Sequence, residues 1–276
     1  MGTTKTITWG DVANYQRLRE VGRRLMSHIT RTIPRAATNE MGAALGIMRE
    51  GTLVFDPDEV GIVLVDCCLH DWIRDGQNLL AKYSLEHPVL PGSDEEYLLR
   101  AYQQARFRVL LPKSIAPGAG LECTDALSGE HLFLMDIALS KSVKDSSYVM
   151  ATRTVPLDGY WMTTGAGLPI TGEKIGKEVV GEMKGLFDIV PPLDSHQMAL
   201  AILRKCIECG AAEYMTYEGP EKSKDAKEPE TQFSAPLKPA IPGAWPDGTI
   251  LAPVEAVGNI NAAACGNEAA IPTTNL

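Results

Sequence analysis

The sequence lacks a long apolar run and has no excess of positive charge. No stretch of about 18 consecutive apolar residues occurs, so we expect no membrane-spanning helix. The first residues, MGTTKTITWGD, contain no apolar core of a secretory signal, so we expect a cytoplasmic protein whose six cysteines are reduced thiols. Lysine and arginine number 26 against 35 aspartate and glutamate, a net charge of −9, which disfavours binding to a nucleic-acid backbone.

Common catalytic and ligand-binding signatures are also missing. There is no GxSxG nucleophile elbow, and neither GAG tripeptide (118–120 and 165–167) continues into a phosphate loop, so we interpret both as turns. Cys206 and Cys209 form the one CxxC pair, at the predicted end of a helix, where the helix dipole disfavours a thiolate. We favour a structural role for this pair over metal binding with distant ligands or redox chemistry. We therefore expect no cofactor and assign no catalytic residue.

Helical periodicity dominates the first part of the chain. Apolar residues recur at helical spacing over 12–29, and Asp11 stands where the N-cap of this helix belongs. Pro34 interrupts the pattern, and a shorter helix rich in alanine, methionine and leucine is predicted over 36–48. These segments predict a helical N-terminal subdomain.

A strong helix start follows at DPDE. Asp56 is a candidate N-cap, Pro57 suits the first helical position, and Glu59 completes a capping box. The apolar period continues to Tyr83, although Gly76 weakens it. The pattern therefore predicts one long helix in this region.

Capping residues mark three other helices. Ser93 opens an S-x-x-E capping box before a helix that reaches about residue 105. Near the end of the predicted fold, Thr171 is a candidate cap for one helix and Asp194 or Ser195 for the next. Gly210 provides a C-terminal stop for the last helix.

Between about residues 106 and 170 the pattern changes to the alternation typical of strands. Pro117-Gly118 and Ser128-Gly129 are turn dipeptides that divide this region. Several short strands in succession predict a small antiparallel, SH3-like β barrel or a curled sheet.

The predicted fold class is α+β, in four parts. A helical subdomain occupies 1–105, a small β module 106–170, and two C-terminal helices that pack on the core 171–216. From 217 to 276 proline, alanine, glycine and charged residues dominate without a helical or strand period, which predicts a disordered tail.

Three segments together resemble a set of uncharacterised bacterial proteins: residues 33–72, 117–140 and 151–170. The segment PGAGLECTDALSGE is also similar to β segments of the form PGxGxxxxDxLxGE in proteins that end in a SEC-C zinc motif. The resemblance implies a helical N-terminal region followed by a small β module, and it implies no activity. The SEC-C motif needs a CxC pair and a later His-Cys or Cys-Cys pair, whereas the tail contains only Cys265, so the zinc element is absent.

Two pairs of polar residues are candidates for chemistry. Asp66 and His70 are four residues apart and share a helix face, where they could bind a divalent cation or act as a base with its orienting partner. We favour the alternative of a helix-stabilising pair. Asp125 and Asp136 lie in the β module, but Asp125 suits a turn, and nothing in the sequence brings the two together as a catalytic dyad.

The densest aromatic and methionine cluster is Tyr160-Trp161-Met162-Thr163-Thr164. If alternate residues of a strand face inward, either Trp161 or Met162 points outward and suits a binding surface; the alternative is that helices bury both. We therefore expect a non-enzymatic cytosolic module for protein interaction or regulation, with these five residues as its binding site. The alternative is a metal-assisted hydrolase at Asp66 and His70. The protein partner and the oligomeric state stay open.

Overall fold

The structure is a computed structural model that describes residues 7–55, 58–143 and 149–214. Within these ranges the helices are α1 (Trp9–Ile29), α2 (Arg35–Ala44), α3 (Asp58–His70), α4 (Leu79–Glu86), α5 (Asp94–Gln103), α6 (Ile137–Ser142), α7 (Glu173–Phe187) and α8 (Ser195–Glu208). The strands are β1 (Met48–Arg49), β2 (Thr52–Leu53), β3 (Arg106–Ala116), β4 (Gly120–Asp125), β5 (His131–Met135), β6 (Met150–Leu157) and β7 (Tyr160–Pro169). The α+β prediction is confirmed. The predicted N-cap Asp56, the predicted first helical residue Pro57 and the predicted tail at 217–276 lie outside the described residues.

The first helix begins earlier than the sequence pattern predicted. Thr8 is its N-cap: the Thr8 hydroxyl accepts from the backbone N–H of Asp11 at 3.3 Å, and the Asp11 carboxylate accepts from the N–H of Thr8 at 2.9 Å. The prediction of Asp11 as the N-cap was therefore wrong, because this carboxylate serves at the third helical position of a capping box.

Two hairpins interrupt the predicted helical runs. The helix predicted over 36–48 stops at Ala44, and β1 and β2 form a short hairpin after it. The long helix predicted to reach Tyr83 ends at His70. A two-residue turn at Asp75 and Gly76, both with positive φ, precedes a new helix, α4, which Asn78 caps by accepting from Ala81 at 2.9 Å. The Asp-Gly dipeptide is a hairpin signal that the overlapping helical period masked.

The β module is a closed five-stranded barrel in the order β3-β4-β5-β7-β6. Its strand pairs are antiparallel except β5 and β7, which run parallel and meet at Leu134 and Trp161. The small barrel predicted for this region is confirmed. Within the region of strand-like alternation, a short helix follows β5: Asp136 caps α6 by accepting from Leu139 at 3.0 Å.

Alternate strand residues build two apolar clusters. One face of the barrel wall joins the helices in the main core; its strand members include Val109, Phe133, Met162 and Leu168. The other face fills the barrel interior with α6; its members include Leu110, Leu121, Leu134 and Met150. The helices and the outer barrel wall thus share one core, and the division of the chain at 105, 170 and 216 stays a prediction.

The two C-terminal helices pack on this core. Of their two predicted N-caps, the one for α8 is confirmed and the one for α7 is wrong. Gly172, not Thr171, is the N-cap of α7, and the buried Thr171 hydroxyl makes no hydrogen bond within the described residues. Asp194 caps α8 through the N–H groups of His196 and Gln197 at 2.9 and 2.8 Å, and Gly210 ends this helix with a φ of +74°. None of the described helices is both long enough and apolar enough to cross a membrane.

Candidate functional site

The five residues predicted as a binding site, 160–164, form a strip on β7 whose members differ in their exposure to solvent. Tyr160, Met162 and Thr163 are buried, whereas Trp161 and Thr164 are partly exposed. Met162 faces the helices in the main core, and Trp161 packs against the cluster inside the barrel. Trp161 is therefore the member of the Trp161 and Met162 pair that reaches solvent. The role of the strip as a binding surface stays a prediction.

Trp161 lies at one end of the barrel, where two arginines meet its ring. β3 and β5 begin at this end, β4 and β6 end there, and β7 begins there. The guanidinium carbon of Arg108 is 4.4 Å from the ring centroid, and that of Arg106 is 5.9 Å away. We call this group the tryptophan site; it consists of Arg106, Arg108, Asp125, Glu130 and Trp161.

Arg108 is held by bonds on every side of its guanidinium group. Its Nε donates to the Thr154 hydroxyl at 3.0 Å, Nη1 to Asp125 at 3.2 Å and Nη2 to Glu130 at 2.9 Å. The side chain is almost completely buried. Because three hydrogen bonds hold its buried guanidinium group, Arg108 has a fixed position, and the Trp161 ring that packs on it is therefore also held in one position.

The two aspartates of the β module have separate structural roles. Besides Arg108, Asp125 accepts from the N–H groups of Val109 and Leu127 at 3.2 and 3.1 Å, and it holds the turn that follows β4. Asp136 caps α6 at the opposite end of the β4–β5 pair. The geometry therefore gives no support to a catalytic dyad of these carboxylates.

Thr163 fastens the N-terminal helix to the barrel. Arg19 of α1 donates to the Thr163 carbonyl at 2.6 Å and to its hydroxyl at 3.1 Å. The Thr163 hydroxyl also donates to Asp136 at 3.4 Å. This member of the predicted strip is thus occupied by contacts within the fold.

A second group of charged residues lies between α3, β6 and α8; we call it the Arg153 cluster. Arg153 donates from Nε to Asp66 at 2.8 Å and from Nη2 to Asp71 at 2.5 Å. Asp71 also pairs with Nδ1 of His196 at 2.8 Å, and His70 lies 3.8 Å from Asp66. The cluster is buried except for His196, whose side chain is 35% exposed.

The shifted pKa values in the Arg153 cluster keep Asp66 negatively charged and His70 neutral near pH 7. Burial acts to raise the pKa of Asp66, but Arg153, His70 and a hydrogen bond from Thr164 together outweigh burial and hold this pKa below its usual range. Burial, and then Arg153, lower the pKa of His70 to about 3, so its imidazole is neutral near pH 7. Asp66 is therefore a carboxylate bound to a guanidinium group, and a neutral imidazole lies beside it.

This arrangement bears on the metal alternative at Asp66 and His70. A cation bound there would compete with Arg153 for the same Asp66 carboxylate. Among the residues that the structure describes, no three histidine, cysteine or acidic side chains are grouped to hold a metal ion. The sequence pattern brought Asp66 and His70 together correctly on one helix face, but it gave no sign of Arg153.

The five cysteines that the structure describes are thiols in environments that disfavour the thiolate. Burial raises the pKa values of Cys68, Cys123 and Cys206 to about 12 and that of Cys67 well above its usual range. Cys209 is partly exposed; burial and then a contact with Glu178 at 3.2 Å raise its pKa. The geometry of Cys206 and Cys209 thus fits the structural role favoured for them.

Sequence reasoning missed the arginines and His196 as partners of the predicted residues. Arg108 and Arg153 each stand inside an alternating strand run, where a buried charge is a weak signal that a carboxylate lies opposite. Nothing local in the sequence identifies which carboxylates these are. They lie up to 87 positions away along the chain, as Asp66 does from Arg153.

Comparison with known proteins places the chain in a family without assigning an activity. A sequence-family model matches residues 10–174, from the first turn of α1 to the start of α7. No curated protein and no solved structure matches the chain. The matched span is more than half of the 276 residues and contains the whole tryptophan site and all of the Arg153 cluster except His196. The chain belongs to DUF7986, a family of unknown function.

Proposed function

We propose that the protein is a non-enzymatic module for protein interaction whose contact surface is the tryptophan site. One observation carries this proposal: a partly exposed tryptophan stands at the end of the barrel with two guanidinium groups against its ring. Tryptophan and arginine are enriched among the few interface residues that dominate binding energy. Within the 160–164 strip, we therefore assign the proposed contact to Trp161, its partly exposed aromatic residue.

The rigidity of the site supports the same proposal. Because Arg108 is bound by Thr154, Asp125 and Glu130, the Trp161 ring keeps its place without a partner. A side chain that is already ordered loses little conformational entropy when a partner binds. The site is thus prepared for contact before a partner arrives.

The proposal also covers location and origin. We propose a cytoplasmic location because the five cysteines that the structure describes are free thiols. The resemblance of segments 33–72, 117–140 and 151–170 to bacterial proteins supports a bacterial source, and the PGAGLECTDALSGE segment supports a relation to the β segments of SEC-C proteins. The metal-assisted hydrolase alternative would require Arg153 to release Asp66, and no contact within the described residues favours it.

The test compares two tryptophans. Trp161→Ala removes the proposed contact, and Trp9→Ala removes a side chain that is 89% exposed at the start of α1 and is not a member of the tryptophan site. Each tagged protein is used for affinity capture from a lysate of the source organism, with thermal melting as a check on folding. A hot-spot contact predicts that Trp161→Ala weakens capture of a specific partner by about 30-fold, which corresponds to roughly 2 kcal/mol.

The control defines the opposite result. Trp9→Ala should capture the same partner as the unaltered protein. Equal capture by the Trp161→Ala protein, with its fold intact, would contradict the proposal. If Trp161→Ala melts early, Trp161→Phe replaces it, because a phenyl ring preserves packing while it reduces the aromatic contact area.

A further inference from the structure

We infer that the partner of the tryptophan site is an acidic peptide segment, in which an aspartate or glutamate lies beside an apolar residue. The carboxylate would bind Arg106, and the apolar residue would pack on the exposed part of Trp161. This inference rests on the proposed function and names the chemistry of its partner.

Arg106 has hydrogen-bonding capacity that the fold does not use. Its side chain is 65% exposed, and its nearest carboxylate oxygen, on Glu130, is 3.7 Å from Nη1. This distance is too long for a hydrogen bond. In the part of the chain that the structure describes, no N–H group of the Arg106 side chain has a hydrogen-bond acceptor. A guanidinium fork that matches a carboxylate in two parallel bonds is therefore available beside Trp161.

Glu130 explains why this fork stays available. The same Glu130 oxygen that faces Arg106 accepts a hydrogen bond from Arg108 at 2.9 Å. The buried Arg108 takes the short bond, and Arg106 keeps only the longer electrostatic contact. An incoming carboxylate can thus bind Arg106 while the bond between Arg108 and Glu130 stays in place.

The surroundings select against other partners. A neutral or basic segment that covered Arg106 would remove its N–H groups from water without giving them acceptors, which is unfavourable. A nucleic acid would bring a row of phosphates toward Glu130 and Asp125, on a chain whose net charge is −9. A single carboxylate next to an apolar group fits one unused fork next to one tryptophan face.

The experiment uses a peptide library displayed on phage and selected on the immobilised full chain. We expect the selected sequences to carry Asp or Glu within a few positions of an aromatic or aliphatic residue. A synthetic copy of one of them should bind Arg106→Gln about tenfold more weakly than the unaltered protein. Amidated and free-acid copies distinguish a side-chain carboxylate from a terminal one.

Two further variants sharpen the test. Arg100→Gln is the matched control, because Arg100 is 72% exposed and also pairs with one glutamate, but on α5; its affinity for the peptide should be unchanged. Glu130→Gln removes the negative charge that faces Arg106, while the amide oxygen can still accept from Arg108, so this variant should bind the peptide several-fold more tightly. Circular dichroism and thermal melting verify the fold of every variant.

Each outcome separates this inference from the proposed function. Selected peptides without acidic residues, or equal binding to the Arg106→Gln variant, would overturn the acidic partner while dependence on Trp161 preserved the interaction site. A library that yields no peptide dependent on Arg106 would overturn it as well. Peptides that bind equally well to the Trp161→Ala protein would contradict both proposals.

Discussion

Two buried arginines carry charge on the two sides of the barrel wall. Arg108 lies at the interior end and binds Asp125 and Glu130, whereas Arg153 faces α3 and binds Asp66 and Asp71. Desolvation offsets much of the attraction in such pairs, but loss of one member leaves the other buried and unpaired. Each arginine is therefore required chiefly because it pairs with a buried carboxylate, Asp125 for Arg108 and both Asp66 and Asp71 for Arg153.

Arg153→Ala should destabilise the fold strongly. The change leaves the buried carboxylates of Asp66 and Asp71 without a guanidinium group, which typically costs about 3–5 kcal/mol in the free energy of unfolding. Urea denaturation at pH 7 measures it. Arg100→Ala, at an exposed pair on α5, should change stability by less than about 0.5 kcal/mol. A small effect of Arg153→Ala would mean that water reaches the Arg153 cluster.

His196 gives the stability of the protein a defined pH dependence. The hydrogen bond with Asp71 raises the pKa of His196 above its ordinary value of 6.5, with Arg153 opposing and Asp194 adding to this shift. A raised folded-state pKa means that the ion pair stabilises the folded state fully below pH 6.5. The contribution is lost as the pH rises through the folded-state pKa.

The measurement compares the free energies of unfolding of the unaltered protein and the His196→Gln variant at pH values below and above 6.5. Their difference should be largest below pH 6.5 and should decline at higher pH. His87→Gln is the control, because His87 is exposed on the surface and stacks on Tyr83 at 4.3 Å, outside the Arg153 cluster. A difference that does not change with pH would show that His196 contributes only packing.

The cysteines should react in an order set by exposure. Cys209 is partly exposed, whereas Cys67, Cys68, Cys123 and Cys206 are buried with raised thiol pKa values. The thiolate is the reactive form, so burial suppresses alkylation twice, through access and through pKa. Among these five cysteines, mass spectrometry after a short native alkylation should find Cys209 labelled first. Rapid labelling of Cys67 and Cys68 would contradict the burial of α3.

At the scale of elements, helix starts were predictable where a side chain caps the first turn. Ser93 and Asp194 were identified from the sequence because an N-cap acts on the next three residues and needs no tertiary partner. The end of α3 was missed because apolar residues keep the helical period through Leu79 and Tyr83. There the tight Asp75-Gly76 turn and the Asn78 cap override the period.

Strand pairing in the barrel depends on a glycine at the start of β4. A Cβ on Gly120 would overlap the carbonyl oxygen of Leu134 on the neighbouring strand, so β4 and β5 would have to separate. Gly120→Ala should therefore lower the melting temperature by many degrees, since the blocking atom belongs to backbone that cannot turn away. The contrast is Gly181→Ala on α7, where the added methyl meets open space and helix propensity favours alanine by about 1 kcal/mol. Equal melting of both variants would contradict the close approach of β4 and β5.

At the scale of the molecule, the candidate site was only partly predictable. Trp161 was identified because aromatic and methionine residues cluster locally in the sequence. Arg106, Arg108 and Glu130 could not be assigned to it, because only closure of the barrel brings the starts of β3, β5 and β7 to one end. Local patterns predict which side chains are unusual, and the topology decides which of them meet.

The folded unit extends beyond the region that the family model matches, because the C-terminal helices pack on the same core. The family match ends at 174, yet α8 buries Ala199, Ile202, Leu203 and Cys206 against the core and supplies His196 to Asp71. Each large apolar side chain that becomes exposed when α8 is removed lowers the free energy of unfolding by about 1.5–3 kcal/mol. Several such losses approach the roughly 5–15 kcal/mol that stabilises an ordinary domain.

We therefore expect two shortened chains to behave differently. A chain that ends at residue 214 keeps every element described above, and residues 217–276 were predicted from composition to form a disordered tail. It should melt cooperatively within a few degrees of the full chain. A chain that ends at residue 174 lacks α7 and α8, so it should lose cooperative melting and bind a dye for exposed apolar surface. Cooperative melting of the 174-residue chain would show that the family region folds alone and that α7 and α8 are an addition to it. Early melting of the 214-residue chain would instead show that residues beyond 214 contribute to the core.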